Sequence, residues 1–216
     1  MVNQIIDIIA VAPLINEKIN EITGPAVMYK YFIESEEVKK RATITTFDIS
    51  GDKKNRKIGG VSINRIFFYL NIIPKIFLEI LKKKYSRIYI IIAPSNVGLL
   101  RDSLIIIFSK IMKRKIFSHA FGNYPIFYEN SNFLIRSIIK NIIYLSNNII
   151  VEDDLFKEKF KFIKNYQNKV KIIPNCYPYN NKKSYKKKTF DGKKIKILFM
   201  GNMIISKGYF DVLKAV

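Results

Sequence analysis

The sequence has few residues of the kinds that build disulfides and metal sites. Its 216 residues include one cysteine, Cys176, and one histidine, His119. A lone cysteine excludes an internal disulfide and any cysteine-rich metal site. Hydrophobic residues make up 49% of the chain and charged residues 25%. The chain therefore belongs to the globular class, and it is long enough to bury a sizeable core.

The sequence also lacks an apolar run long enough to span a membrane. The longest apolar segments are Ile66–Leu81, which Pro74 and charged residues interrupt, and the short run Ile88–Ala93. Both fall short of the roughly 18 uninterrupted apolar residues that a spanning helix needs. The apolar start, Val2–Ala12, lacks the basic n-region of a secretory signal. We expect a cytoplasmic chain, and any contact that it makes with a membrane is expected to be peripheral.

Acidic residues are scarce. The chain has 17 Asp and Glu against 38 Lys and Arg, a formal net charge of +21. Such a charge favours nucleic acid, an anionic membrane surface or a phosphorylated substrate as partner. Codon drift in a low-GC genome, which enriches Ile, Lys and Asn, is an alternative cause. Because no RNP-type aromatic motif, zinc spacing or recognition-helix pattern accompanies the charge, we do not expect nucleic-acid binding.

Short apolar runs alternate with longer amphipathic segments along most of the chain. Several runs are continuous Ile and Val, which is typical of strands covered on both faces. The alternation predicts a parallel sheet with right-handed crossovers, a doubly wound, Rossmann-like α/β fold. The predicted strands are Ile5–Val11, Thr43–Ile49, Ile88–Ala93, Ile116–His119, Asn148–Val151, Val170–Ile173 and Ile195–Met200. The predicted helices are Pro25–Lys39, Ser62–Lys84, Gly98–Lys113, Asn132–Leu145 and Leu155–Lys164.

A polar, lysine-rich stretch after Pro174-Asn175 has no apolar periodicity and indicates a linker. We therefore divide the chain into a first domain (1–176), a basic linker (177–194) and the start of a second domain (195–216). A single strand-helix unit cannot bury both its faces, so we expect the last segment to require structure that this sequence does not contain.

Ligands of open parallel sheets bind beyond the carboxyl ends of the strands, so the residues that follow each strand are the candidates for a site. Gly24 opens a helix after the first strand, either as a loop that admits an anion or as a plain turn. Ser95 and Asn96 follow the third strand, where one of them is expected to cap a helix. Arg101-Asp102 is either a local ion pair or a site at which Arg101 meets an anionic group, because an arginine in the first helical turn opposes the helix dipole.

The segment from His119 through Gly122 to Asn123 follows the fourth strand. An imidazole is the only side chain whose unperturbed pKa lies near neutrality. Its place at the carboxyl edge beside a glycine leaves two interpretations of His119, a satisfied structural residue or a catalytic group.

Several of these segments, taken in order, resemble bacterial family-4 glycosyltransferases of the glycosyl transferases group 1 type. Ser95–Asp102 is similar to their "S-x-x-G-x-x-R-D" segment, and His119–Gly122 to their "H-x-H-G". Pro174-Asn175 resembles the "PN" that closes their first domain. Gly201–Gly208 resembles the "G-(R or N)-x-x-x-x-K-G" turn that opens their second.

The resemblance implies a GT-B fold, in which two doubly wound domains face each other across a cleft. The first domain holds the acceptor and the second holds the nucleotide-sugar. Transfer retains the anomeric configuration, without a bound metal or another cofactor. The implied partners are a nucleotide-sugar donor, a glycan or lipid-linked acceptor of cell-surface glycan synthesis, and the anionic inner face of the cytoplasmic membrane.

The resemblance also implies roles for single residues. His119 is placed near the transferred sugar as the catalytic residue. The donor phosphates are placed at Gly24, Gly201 and Lys207. The residues implied on the acceptor side are Ser95, Asn96, Arg101, Asp102, Gly122 and Asn123.

The sequence departs from the family at Phe121, which replaces the second histidine of "H-x-H-G", and at Asn202, where many members have arginine. The paired glutamates and nucleoside pocket of the donor domain would lie beyond Val216. We therefore expect the isolated chain to be inactive. The alternative is a catalytically inactive acceptor-binding or membrane-associated partner subunit.

Overall fold

The computed structural model describes residues 5–15, 23–50, 63–84, 86–122, 124–175 and 209–214. The chain divides into two units, Met1–Pro178 and Tyr179–Val216. The predicted linker and the predicted strand Ile195–Met200 lie outside the described residues.

The first unit is built on a six-stranded sheet in which every paired strand is parallel. The strand order is β2-β1-β3-β4-β5-β6. Helices flank this sheet, which confirms the predicted α/β fold of Rossmann-like, doubly wound type. The strands are β1 (Ile6–Ala12), β2 (Ala42–Asp48), β3 (Arg87–Ile92), β4 (Lys115–Ala120), β5 (Asn148–Val151) and β6 (Val170–Ile172).

The helices connect successive strands and begin where the sequence offers capping side chains. Thr23, Ser95, Asn132 and Asp153 each accept a backbone N–H in the first turn of the helix that follows. In the first unit the helices are α1 (Gly24–Glu34), α2 (Glu36–Arg41), α3 (Ile63–Lys82), α4 (Asn96–Ile111), α5 (Tyr124–Glu129), α6 (Phe133–Leu145), α7 (Asp154–Glu158) and α8 (Tyr166–Lys169). In the second unit, residues Tyr209–Lys214 form α9.

The core consists of two apolar clusters, one on each face of the sheet. The larger cluster joins Ile9, Ile90 and their neighbours on the strands to buried residues of α3, α4 and α6. The smaller cluster joins Ala10, Ala12 and Ile91 to Tyr29 of α1. This division follows from the alternation of side chains along a strand, which sends successive residues to opposite faces.

The six predicted strands within the described residues are confirmed, each end lying within one residue of its prediction. Two predicted helices need correction. Pro25–Lys39 is two helices, because the backbone of Ser35 is extended and Glu36 begins a new helix. Leu155–Lys164 ends as a helix at Glu158 and continues as turns. The short helices α5 and α8 were not predicted. In the described part of the chain, no helix combines the length and apolarity that crossing a bilayer requires.

Candidate functional site

The strand order places three candidate segments at one edge of the sheet. β1 lies between β2 and β3, so the direction in which the chain builds the sheet reverses beside β1. Such a reversal is where open α/β sheets bind ligands. The start of α1, the start of α4 and the residues after β4 all follow the carboxyl ends of the adjacent strands β1, β3 and β4.

Two glycines at this edge leave open space in front of the backbone. A Cβ added to Gly24 or to Gly122 would meet no heavy atom of the described chain within 4 Å. Gly122 has a φ of +36°, in the region that favours glycine. Gly98 is different, because a Cβ there would lie 2.4 Å from the Cβ of Ala93. Gly98 therefore serves close packing of α4 against the end of β3.

Ser95 is the cap of α4, since its Oγ accepts the backbone N–H of Gly98 at 3.3 Å. This confirms the capping interpretation for one of the two polar residues. Asn96 is the first residue of α4 and is exposed at the edge of the sheet.

Arg101 and Asp102 form the local ion pair, the first of the two interpretations of this segment. Both side chains are buried, and the Nη2 and Nε atoms of Arg101 donate to Oδ1 of Asp102 at 2.6 and 2.8 Å. Oδ2 of Asp102 accepts the backbone N–H of Ala93 at 2.8 Å, and Nη1 of Arg101 donates to the Tyr69 hydroxyl at 3.0 Å. The pair thus ties α4 to the end of β3 and to α3, and neither side chain is presented to solvent.

His119 is buried next to Tyr89. The register of β3 and β4 pairs His119 with Ile91, so its side chain lies on the face of the sheet that Tyr89, two residues before Ile91, also occupies. Its Nδ1 lies 2.7 Å from the Tyr89 hydroxyl, and its ring stacks on Phe121 with centroids 4.0 Å apart. Its Nε2 is buried without a hydrogen-bond partner among the described residues. Burial lowers the pKa of His119 to about 4. The imidazole is therefore uncharged at neutral pH. In this form one ring nitrogen donates a hydrogen bond and the other accepts one.

A cavity of about 380 Å³ lies between the α1–α2 segment and the adjoining face of the sheet, beside this imidazole. Its lining is mostly apolar and includes Phe32, Phe117 and Ile150. Pro174 and Asn175 line it too. Two of the segments that resemble the glycosyltransferases, which are far apart in the sequence, thus border the same space.

Tyr89 is a site residue that sequence reasoning missed. Burial raises the pKa of its hydroxyl, which therefore stays protonated and able to donate. The only signal in the sequence is a single hydroxyl within the continuous Ile run of β3. Asp48 was missed as well: its Oδ1 accepts the backbone N–H of Leu14 at 3.1 Å and of Ser50 at 2.8 Å, which joins the segments after β1 and β2.

The described structure thus brings Gly24, Asn96, His119 and Gly122 to one edge of the sheet. The predicted site residues Asn123, Gly201 and Lys207 lie outside the described residues. In the described part of the chain, no group of three or more His, Cys, Asp or Glu side chains could hold a metal ion. Comparison of the chain with models of protein families, with curated proteins and with solved structures gives no match.

Proposed function

We propose that this chain is the acceptor-side half of a bacterial sugar-nucleotide glycosyltransferase of the GT-B type. In this proposal it takes part in the transfer of a sugar from a nucleotide-sugar to a lipid-linked or polysaccharide acceptor of the cell surface. One observation carries the proposal. The segments that resemble the glycosyltransferases at Ser95–Asp102 and His119–Gly122 lie at the carboxyl ends of the adjacent strands β3 and β4, at the edge where a doubly wound sheet binds its ligands.

In this proposal His119 acts as a neutral hydrogen-bonding group. When the Tyr89 hydroxyl donates to Nδ1, the proton of the imidazole resides on Nε2, which then is a donor without a partner among the described residues. A sugar hydroxyl that accepts from Nε2 satisfies this buried donor. Because Nε2 is buried, binding of the sugar requires a local displacement of the side chains around it. The imidazole then stabilises the transition state by hydrogen bonding, without taking a proton.

Gly24, after β1, and Gly122, after β4, would let the ligand approach the backbone at two points of this edge. In the proposed arrangement, the amino terminus of α1 faces the donor phosphates and the loop at Gly122 faces the acceptor sugar. Catalysis needs both reactants held in near-attack geometry, a contribution of about 7–11 kcal/mol to the barrier. We infer that the isolated chain binds the acceptor and does not transfer sugar.

Titration of the isotopically labelled chain, followed by amide NMR, tests the proposal. Alkyl glycosides and surface-polysaccharide oligosaccharides should shift the amides around Gly24, Asn96 and Gly122 in a saturable way. Gly122→Val should abolish these shifts, because a side chain there fills the open space and strains a positive φ. Lys164→Gln, a change at an exposed residue distant in the fold, serves as the control.

Calorimetric titration with UDP-, GDP- and CMP-sugars completes the test. We expect no binding tighter than about millimolar, equivalent to about 4 kcal/mol. Micromolar binding of one donor, or sugar transfer by the isolated chain, would contradict the assignment to the acceptor half. Shifts that spare the β1–β3–β4 edge for every acceptor would contradict the site itself.

A further inference from the structure

Helix α3 carries a row of apolar side chains that point away from the sheet. Phe67, Leu70, Leu78 and Leu81 recur at helical spacing and are between 52% and 67% exposed. Ile76 and Ile80, on the opposite side of the helix, are buried in the core. The exposed row is therefore the outer side of a helix whose inner side already has its packing partners.

Helix α4 repeats this arrangement. Leu100, Leu104, Ile107 and Ile111 lie four, three and four residues apart, which aligns them along one face, and they are between 45% and 63% exposed. The inner side of α4 is buried in the same core as α3, where Phe77 and Phe108 stack with centroids 4.0 Å apart. The two exposed rows thus lie on neighbouring helices of one layer. We call them together the α3–α4 face.

The outer side of α6, the third long helix of this layer, is mixed in character. Phe133, Leu134 and Tyr144 are exposed toward its two ends, and Ser137, Lys140 and Asn141 are exposed along its middle. The α3–α4 face is more continuously apolar: every exposed residue of α4 from Leu100 to Ile107 is apolar, and only Asn71 and Lys75 are exposed polar residues beside the α3 row. Contiguous exposed apolar surface of this kind marks a site of contact with another molecule or a membrane.

The charges around the α3–α4 face are of one sign. Helix α3 leads into β3 and helix α4 leads into β4, and these two strands are parallel neighbours. The carboxyl ends of the two helices therefore lie at the same end of the layer. The basic residues at that end are Lys82, Lys83, Lys84, Lys110, Lys113, Arg114 and Lys115. The carboxylates of the two helices are withdrawn from the surface: Glu79 pairs with Lys83, and Asp102 is buried against Arg101.

We propose that the α3–α4 face binds an anionic lipid bilayer, with its apolar rows at the level of the acyl chains and its lysines among the headgroups. An apolar helical face combined with a cationic end is the pattern of interfacial helices, whose affinity adds apolar burial to attraction by anionic lipids. The net charge of +21 adds long-range attraction of the same sign. The inference stands on this surface alone and does not depend on the proposed activity.

Flotation of the full chain with vesicles tests the proposal. We expect recovery with phosphatidylglycerol-containing vesicles, poor recovery with pure phosphatidylcholine, and release as salt is raised. Equal recovery with both compositions, unaffected by salt, would overturn the proposal.

Matched variants locate the contact. Leu104→Glu should weaken vesicle binding at least about tenfold, because it removes an apolar side chain from the proposed contact and adds a charge of the same sign as that of the lipid. Leu134→Glu, an equally simple change at an exposed leucine of α6, should leave binding unchanged. Lys82→Gln with Lys113→Gln should weaken binding about 25-fold, at roughly fivefold per lysine. Lys164→Gln with Lys171→Gln removes the same charge elsewhere and serves as its control.

All of these changes lie at exposed positions, so unfolding midpoints should stay close to that of the unaltered chain. Analytical ultracentrifugation of the same proteins tests whether a second copy of the chain binds this face instead. A stable dimer that Leu104→Glu converts to monomer, together with absence of vesicle binding, would assign the face to a second copy of the chain and overturn the proposal.

Discussion

A buried, uncharged imidazole couples the stability of this protein to pH. The pKa of His119 is lowered from 6.5 to about 4 by burial. Between these two values the unfolded chain takes up a proton that the folded chain does not. The free energy of unfolding is therefore fully maintained above pH 6.5 and decreases as the pH falls toward 4, by on the order of 3 kcal/mol in all.

We predict that His119→Asn removes this part of the pH dependence. Asparagine offers a polar group near the position of Nδ1, within reach of the Tyr89 hydroxyl, and does not titrate. Urea unfolding at pH 7 and pH 5 measures the effect. The unaltered chain should lose more stability than the variant over this interval, by about 2 kcal/mol. Equal losses in the two proteins would show that His119 is not the titrating group.

The ion pair of Arg101 and Asp102 leads to a second prediction. Asp102→Ala strands a buried guanidinium and leaves the backbone N–H of Ala93 without its acceptor. Removal of one partner of such a pair costs about 3–5 kcal/mol. Chemical denaturation should show a loss of this size, whereas the double change Arg101→Met with Asp102→Leu should cost clearly less. A double variant as unstable as Asp102→Ala would contradict this account.

At the scale of elements, the cap of α6 is expected to contribute measurably to stability. The Asn132 side chain accepts the backbone N–H of Ile135 at 3.0 Å. Asn132→Ala should lower the free energy of unfolding by about 1 kcal/mol, and Asn132→Asp should retain it. Asn141→Ala, in the middle of the same helix, should be neutral or slightly stabilising because alanine is the better helix former. Thermal unfolding of the three variants measures these changes in stability. A loss of stability in Asn132→Asp would argue against capping.

The strands were predictable because their signal is local. Continuous Ile and Val runs bounded by polar segments are typical of buried parallel strands, and the tertiary structure adds no competing pattern. The break at Ser35 also had a local signal that was not used: Glu36 and Glu37 open α2 and Lys39, Lys40 and Arg41 end it, the distribution that a helix dipole favours. The helices α5 and α8 were missed because six and four residues are too few to show a helical period.

The candidate site was only partly predictable, for a different reason. Its backbone positions follow from the rule that ligands bind at the carboxyl edge. The partners of its side chains depend on strand register, which brings residues 30 positions apart into contact, as with Tyr89 and His119. Likewise, the sequence alone left Arg101 between an ion pair and an anion site. Only the packing of α4 against β3 and α3 decides between them.

At the scale of the whole molecule, the first unit should be stable without the second. Both apolar clusters are made of residues of the unit Met1–Pro178. A chain that ends at Pro178 should therefore unfold at the same midpoint as the full chain in scanning calorimetry. The far-ultraviolet circular dichroism of the shortened chain provides the control for its fold. A midpoint lowered by more than about 4 °C, roughly 1 kcal/mol for a domain of this size, would show that residues beyond Pro178 stabilise the sheet.

The order of the strands also has a consequence for synthesis on the ribosome. From β3 onward, the order in space equals the order along the chain. Once β1, β2 and β3 have emerged, each later strand arrives beside an edge that already exists, and no strand has to insert between two others. The nascent chain can therefore extend its sheet in the direction of translation, at the pace of about 5–20 residues per second at which it appears. From β3 to β5 the newest strand is one unpaired edge of the sheet, with β2 at the other, and the next strand to leave the ribosome covers it.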